Sequence, residues 1–303
     1  MAFFHIENDA NLTPIKQTQF KLEKEIQSLT EGNLHSIFGL EFVSTEFTLK
    51  QFRIDTLAFD PNTSSFVIIE YKRDRSFSVI DQGFSYLSLL LNHKADFVLH
   101  HNEVCKKSLR KDDVDWSQSR VIFVSPQFTQ YQREATNFKD LPIELWEINT
   151  FENQTVSYTK IQTIGSKESI KTVSGANSNI LDVSKEIKVY SEDEHLSKAS
   201  DDIKELYEQL RNAILAFGNV NIKPTKGYIA FVHNSNFTDV HIQKNGLKIW
   251  VNMLYGSLDD PKKIGRNVSS IGHWGNGDYE IKLHNDDDIE YVLSLIKQSY
   301  KQN

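Results

Sequence analysis

The stretch Ser65-Phe66-Val67-Ile68-Ile69-Glu70-Tyr71-Lys72 decides the reading of the N-terminal half. Four consecutive apolar residues, Phe66 to Ile69, without polar alternation describe a strand covered on both faces, as in a sheet flanked by helices. The strand ends on Glu70 and Lys72, which period-two geometry points to one side while Tyr71 points to the other. Upstream, Asp60-Pro61-Asn62 is a turn, because proline fixes one dihedral and Asp and Asn bond their own backbone. Phe52–Phe59 is the strand before that turn, and Asp55 interrupts its otherwise apolar pattern. The hairpin therefore carries Asp55 toward Glu70.

Working outward, Phe20–Asn33 reads as a helix with Leu22, Ile26 and Leu29 inward, and Leu40–Thr48 as a strand. Ser76 or Ser78 caps a helix running to about His93. Val121–Val124 and Ile143–Ile148 are later strands, with a helix over Gln127–Phe138 between them. The order α-β-β-β-α-β-α-β predicts an α/β domain, a mixed sheet flanked by helices, over residues 1–160. The full 303 residues exceed what one core ordinarily serves. Residues 161–200 hold eight serines and a single aromatic, Tyr190. That composition predicts a polar linker, with a short strand at Ile187–Tyr190. From Asp201, the residues Ile203, Leu206, Leu210 and Ile214 share one helical face, with Ser200 as N-cap and Gly218 just past the end. Several strands follow, then a last helix over Asp286–Tyr300 capped by Asn285, so residues 201–303 read as a smaller α+β domain.

The chemistry concentrates in Asp55, Glu70, Lys72, Gln82 and Tyr86. Two carboxylates and a backbone carbonyl, that of Tyr71, make a hard oxygen set suited to Mg²⁺ or Mn²⁺. A lysine beside them serves to orient a water or to stabilise charge on a phosphoryl oxygen. Gln82 and Tyr86 are i and i+4 on the following helix and share a face.

Asp55, then Glu70-Tyr71-Lys72, then Gln82-Gly83-Phe84-Ser85-Tyr86 resembles the PD-(D/E)XK nuclease superfamily, in its branch with a Gln-x-x-x-Tyr motif that includes RecB-type and NucS-type nucleases. The resemblance implies a restriction-endonuclease-like fold for the N-terminal domain and Mg²⁺-dependent hydrolysis of phosphodiester bonds, with DNA as the expected substrate, in repair or defence. It assigns metal binding to Asp55 and Glu70, water positioning to Lys72, and a hold on the strand near the cut to Gln82 and Tyr86. Arg53 and Arg73 flank the motif as basic residues in contact with nucleic acid. The acid expected on the first helix matches best at Glu25, with Glu23 and Glu31 as alternatives. The motif's namesake proline is absent, since Ile54 precedes Asp55. Such nucleases often pair, so a homodimer is implied; the alternative is a silent nuclease fold that binds nucleic acid or a protein.

The C-terminal part resembles a domain of unknown function in uncharacterised bacterial proteins, at Lys226–Phe231, Leu247–Val251, Leu258–Pro261 and Gly272–Asp278. Between Lys223 and Lys248 lie four lysines, including Lys226 and Lys244, and one acid, Asp239, interleaved with Tyr228, Phe231, Phe237 and His241. Together with His273 and Trp274 they are candidates for nucleic-acid contact, because indole faces stack on bases.

Composition bounds these readings. Lys and Arg number 34 against 41 Asp and Glu, a net charge of −7 that argues against coating a duplex by bulk charge. One cysteine, Cys105, excludes a disulfide framework, and His100-His101 beside it lack further metal partners. No phosphate-cradling glycine loop occurs. The N-terminus shows no signal-peptide pattern and no apolar run reaches the ~20 residues that span a bilayer, so a cytoplasmic protein is expected.

Overall fold

Every residue of the strand Ser65–Tyr71 is buried, and the first unit is built around covering it. The computed structural model describes residues 2–7, 11–73, 78–138, 140–161, 168–170, 178–272 and 274–302. Its contacts separate two units, Met1–Val189 and Tyr190–Asn303.

In the first unit, β1 (Phe3–Glu7) and β2 (Asn11–Ile15) form a separate antiparallel ribbon. Then come β3 (Gln17–Thr18), α1 (Glu23–Glu31), α2 (Leu34–Phe38), β4 (Glu41–Leu49), β5 (Phe52–Asp60), β6 (Ser65–Tyr71), α3 (Val79–Asn92) and α4 (Lys94–Cys105). The unit continues with β7 (Arg120–Ser125), α5 (Gln130–Ala135), β8 (Ile143–Phe151), β9 (Val156–Lys160) and α6 (Ser178–Glu186). The sheet order is β3-β8-β7-β6-β5-β4, with β9 also on β8. β7 runs parallel to both β6 and β8, and the other pairs are antiparallel. Phe66 and Ile68 pack with Leu57, Phe59 and the α3 residues Phe84, Leu87 and Leu90. Val67, Ile69 and Tyr71 pack on the other side with Ile26 of α1 and Leu34. Cover on both faces is the physical reason the strand shows no alternation. Ser78 caps α3 by accepting the N–H of Asp81; Ser76, the other cap candidate, lies outside the described residues.

Two expectations need correction. Residues read as a serine-rich linker contain α6, and Ile180, Val183 and Ile187 are buried in the same core as α3. Their spacing of three and four is a helical stripe that bulk composition conceals. Consequently Ile187–Tyr190 is no strand; Ile187 closes the helix instead. Helix α4 was not anticipated, and it supplies Phe97, Val98 and His101 to the interior. His101 lies against Phe59 and Phe66, and His100 bonds Ser44, so this pair serves packing.

The second unit has α7 (Glu192–Leu196), α8 (Asp201–Leu215), β10 (Asn221–Pro224), β11 (Ile229–Val232), β12 (Asn236–Gln243), β13 (Gly246–Val251), β14 (Arg266–Asn267), β15 (Tyr279–Leu283) and α9 (Ile289–Gln302). Its antiparallel sheet has the order β10-β11-β12-β13-β15-β14. Ile229, Val240, Ile249 and Ile281 stand opposite one another across four strands. They pack against Leu206 and Leu210 of α8 and Leu295 and Ile296 of α9. Among the described residues no helix is long and apolar enough to cross a membrane.

Candidate active site

The β5–β6 ladder runs from Asp60 opposite Ser65 to Thr56 opposite Ile69, and there it stops. Asp55 and Glu70 lie just past its last pair, and Gln82 and Tyr86 of α3 reach Glu70. The N–H of Tyr71 donates to Asp55 Oδ2 at 3.0 Å, so a carboxylate stands in for a ladder carbonyl. Side chains also take the carbonyls of this β5 end: Gln27 Nε2 donates to Asp55 O at 2.9 Å, and the Tyr86 hydroxyl lies 3.2 Å from Arg53 O, its one proton shared with Glu70. Buried backbone acceptors require such partners.

Glu70 is only 3% exposed. Its Oε1 accepts from Lys72 Nζ and Gln82 Nε2, both at 2.7 Å, and its Oε2 accepts from the Tyr86 hydroxyl at 3.0 Å. Gln82 and Tyr86 therefore grip one carboxylate from successive turns of α3. Gly83 permits this approach, since a Cβ there would lie 2.4 Å from Ile143 Cδ1. Tyr71 points its ring to the opposite core, where its hydroxyl lies 3.1 Å from Thr56 Oγ1.

Burial raises the Asp55 carboxyl to about 6, and the neighbouring Glu70 charge adds to this against the Tyr71 N–H and Lys72. Burial works against the Lys72 ammonium, yet its bond to Glu70 and the charges of Glu70, Asp55 and Glu23 outweigh it and hold Lys72 above its ordinary range. Burial, then Glu70, pushes Tyr86 upward, which keeps it a neutral donor.

The first helix differs from the expected arrangement. Glu25 turns back to its own helix start, accepting the N–H of Lys21 at 2.8 Å and of Leu22 at 3.4 Å. Glu23 instead reaches the cluster's margin: its Oε2 accepts the Arg73 N–H at 2.9 Å, and its charge acts on Asp55 and Lys72. Glu31 accepts from Thr56 Oγ1 at 2.6 Å and from Gln27 at 2.9 Å. The third helical position is where a glutamate satisfies the free N–H groups of a helix start, and that demand claims Glu25. Arg53 pairs with Glu46 at 2.6 Å, and Arg73 Nη1 donates to the Lys21 carbonyl at 2.6 Å. Gln27, 6% exposed, was not singled out from sequence; its signal is a polar residue beside the inward-facing Ile26.

Among the described residues, no three His, Cys, Asp or Glu side chains gather as a metal group. A cation here would take Asp55, Glu70, the Tyr71 carbonyl and water. The donors fit Mg²⁺ or Mn²⁺, being hard oxygens whose mutual repulsion already lifts Asp55.

The remaining candidates lie in the second unit. Lys226 and Trp274 are exposed, Lys244 sits exposed in the turn between β12 and β13, and Lys248 pairs with Glu280 at 3.4 Å. His273 lies outside the described residues.

Residues 192–303 match the family model "Domain of unknown function (DUF5655)". Among solved structures, the chain is similar to a repair endonuclease from Pyrococcus abyssi, with 18% identity, 40% of this chain and 44% of that chain covered, and a TM-score of 0.23. It is also similar to EndoMS bound to double-stranded DNA (19% identity, 43% and 47% covered, TM-score 0.24). Apo EndoMS gives 17% identity, 44% and 59% covered, and a TM-score of 0.26. The chain thus spans about half the length of these structures, and the side chains above, not these alignments, carry the functional reading. Against an uncharacterized protein of Haemophilus influenzae (strain ATCC 51907 / DSM 11121 / KW20 / Rd), identity is 52% over 291 residues, 96% of each chain. That likeness extends through both units, and the chain belongs to the family of this Haemophilus influenzae protein.

Proposed function

We propose that the chain is a metal-dependent nuclease that hydrolyses phosphodiester bonds, with DNA as substrate. The observation that carries this reading is the corner where Asp55 and Glu70 meet on one side of parted strands, with Lys72 on Glu70. Asp55, Glu70 and the Tyr71 carbonyl would hold Mg²⁺ or Mn²⁺, which when bound supplies charge to phosphoryl oxygens and a more acidic water. Lys72 stays charged and orients the attacking water or meets developing negative charge. Tyr86 and Gln82 fix the Glu70 carboxylate, leaving it few other rotamers; Gln27 holds the backbone from which Asp55 projects. The acidic Glu23 at the margin shares with Arg73 the control of charge at the cleft.

The test is cleavage of plasmid and single-stranded DNA by the purified chain with Mg²⁺, with Mn²⁺ and with chelator. Asp55→Asn and Glu70→Gln should abolish metal-dependent cutting while both proteins stay folded. Cutting that persists in both variants overturns the reading.

A further inference from the structure

The second unit's sheet has two unlike faces. Residues directly opposite one another on neighbouring strands share a face. Lys223, Ala230, Asp239, Trp250, Glu280 and Arg266 form one such row across all six strands. The adjacent row on that face holds His241, Lys248 and Lys282. This is the face opposite the apolar rows that meet α8 and α9.

Its two acids are withdrawn from the surface, Asp239 at 0% and Glu280 at 5% exposure, while Lys226, Arg266 and Lys282 are exposed. Lys248 and Lys282 stand directly opposite each other. One buried carboxylate, Glu280, pairs with Lys248 at 3.4 Å and with Arg266 at 3.5 Å. Counting Lys282, it faces three cations, and the surplus positive charge suits an anion lying across the face.

The same face presents an aromatic ring on a rigid mount. Asp239 Oδ2 accepts the Asn276 N–H at 2.8 Å and its side-chain amide at 3.1 Å, and Oδ1 accepts from Asn236 at 2.7 Å. Gly275 lies so close on Trp250 that a Cβ would come within 2.3 Å of the ring. Asp278 accepts the N–H of Tyr255 at 2.8 Å. These contacts pin the loop, yet Trp274 on it is 62% exposed. The indole rests against Gly227, where a Cβ would come within 2.5 Å, and meets His241 edge-on at 5.2 Å. His241 is itself fixed by donating to the Gly227 carbonyl at 2.7 Å.

We propose that this face binds single-stranded nucleic acid, with an unpaired base stacked on Trp274 and phosphates met by Lys226, Lys248, Lys282 and Arg266. A fixed, exposed indole offers a π-face to any base, but only a base free of a duplex stack can reach it. The cations supply the backbone attraction that a net charge of −7 denies to the molecule at large. The inference is independent of hydrolysis, because binding is read without metal.

The experiment is fluorescence anisotropy of a fluorescein-labelled, mixed-sequence 15-nucleotide DNA strand, and of its duplex, with the full chain in chelator. The single strand should bind more tightly than the duplex. Trp274→Ala should weaken single-strand binding about tenfold and Trp274→Phe much less. Lys226→Glu with Lys282→Glu, at exposed positions outside the Glu280 ion pairs, should weaken it further and flatten its salt dependence. Unchanged binding in Trp274→Ala and in the charge-reversed variant overturns the proposal, as does equal binding of duplex or no binding at all. Binding by a wild-type chain that never cuts with Mg²⁺ would remove the nuclease reading and leave this one standing. Cutting by a chain whose Trp274→Ala variant binds normally would do the reverse.

Discussion

Asp55 and Asp239 are both raised to about 6, mainly by burial, and they do opposite things. Asp55 lies where two strands part, beside a second carboxylate, and accepts the Tyr71 N–H. Asp239 is enclosed by the Asn236 and Asn276 amides, which oppose the effect of burial without cancelling it. The first is held next to a like charge, which the Tyr71 N–H and Lys72 offset only in part. The second is a latch, holding a loop against a sheet by hydrogen bonds in a region of low dielectric. The shared value therefore identifies burial, while the neighbouring groups separate a carboxylate beside a like charge from one enclosed by amides.

Substitutions at the two positions should break this comparison most clearly. Replacing Asp55 by Asn or Glu70 by Gln should abolish measurable metal-dependent cleavage, a fall of at least about a hundredfold. Asp55→Asn should leave the melting temperature unchanged or raised, because a repulsive pair is removed, whereas Glu70→Gln also strips Lys72 of its partner and should lower it. A fall in stability without loss of cutting would reverse the roles assigned to the two aspartates. Asp239→Leu should cost about 3 kcal/mol in denaturant unfolding of the second unit, since the Asn236 and Asn276 donors lose their acceptor in a buried setting. Cleavage, proposed for the first unit's carboxylates, should not follow it.

The pH dependence sharpens the same contrast. The Asp239 carboxyl binds its proton more tightly folded than unfolded, so its contribution to stability is full below about pH 4. That contribution falls as pH rises through about 6, a loss on the order of 3 kcal/mol at neutral pH. Denaturant titrations of the full chain across pH 4 to 7 should show this slope in the second unit's transition, and Asp239→Asn should flatten it. The smallest expected effect lies on α1. Glu25→Ala should cost about 1 kcal/mol through the helix start and leave cutting intact, whereas Glu23→Ala should alter cutting. Circular dichroism melts and cleavage rates of the two variants distinguish them, and equal effects on both would undo the assignment of Glu23 to the site's margin.

Much of the first unit was legible because its central strand is extreme. A run such as Phe66-Val67-Ile68-Ile69 has few homes other than the middle of a covered sheet, and its ends locate Glu70 and Lys72. Gln82 and Tyr86 were legible because helical geometry fixes residues four apart. α6 was not, since its buried Ile180 and Val183, and Ile187 just past its end, are diluted by serines, and the burial comes from α3, far away in the chain. Glu23 was exchanged for Glu25 because both start the same helix, and only the backbone's need for a cap decides which turns inward or back. The latch at Asp239 was invisible because Asn276 reaches it from 37 residues away.

By itself, then, the sequence determined the element types around Asp55 and Glu70, the shared side of Glu70 and Lys72, and the shared face of Gln82 and Tyr86. These follow from local periodicity, which acts through a handful of bonds. Tertiary structure alone decided where the β5–β6 ladder ends, which acid approaches the corner, and that Asp239 and Glu280 are buried while the lysines above them are not. Each of those depends on which distant groups remain to satisfy a buried charge or a backbone polar group, and that competition is settled only when the chain has packed.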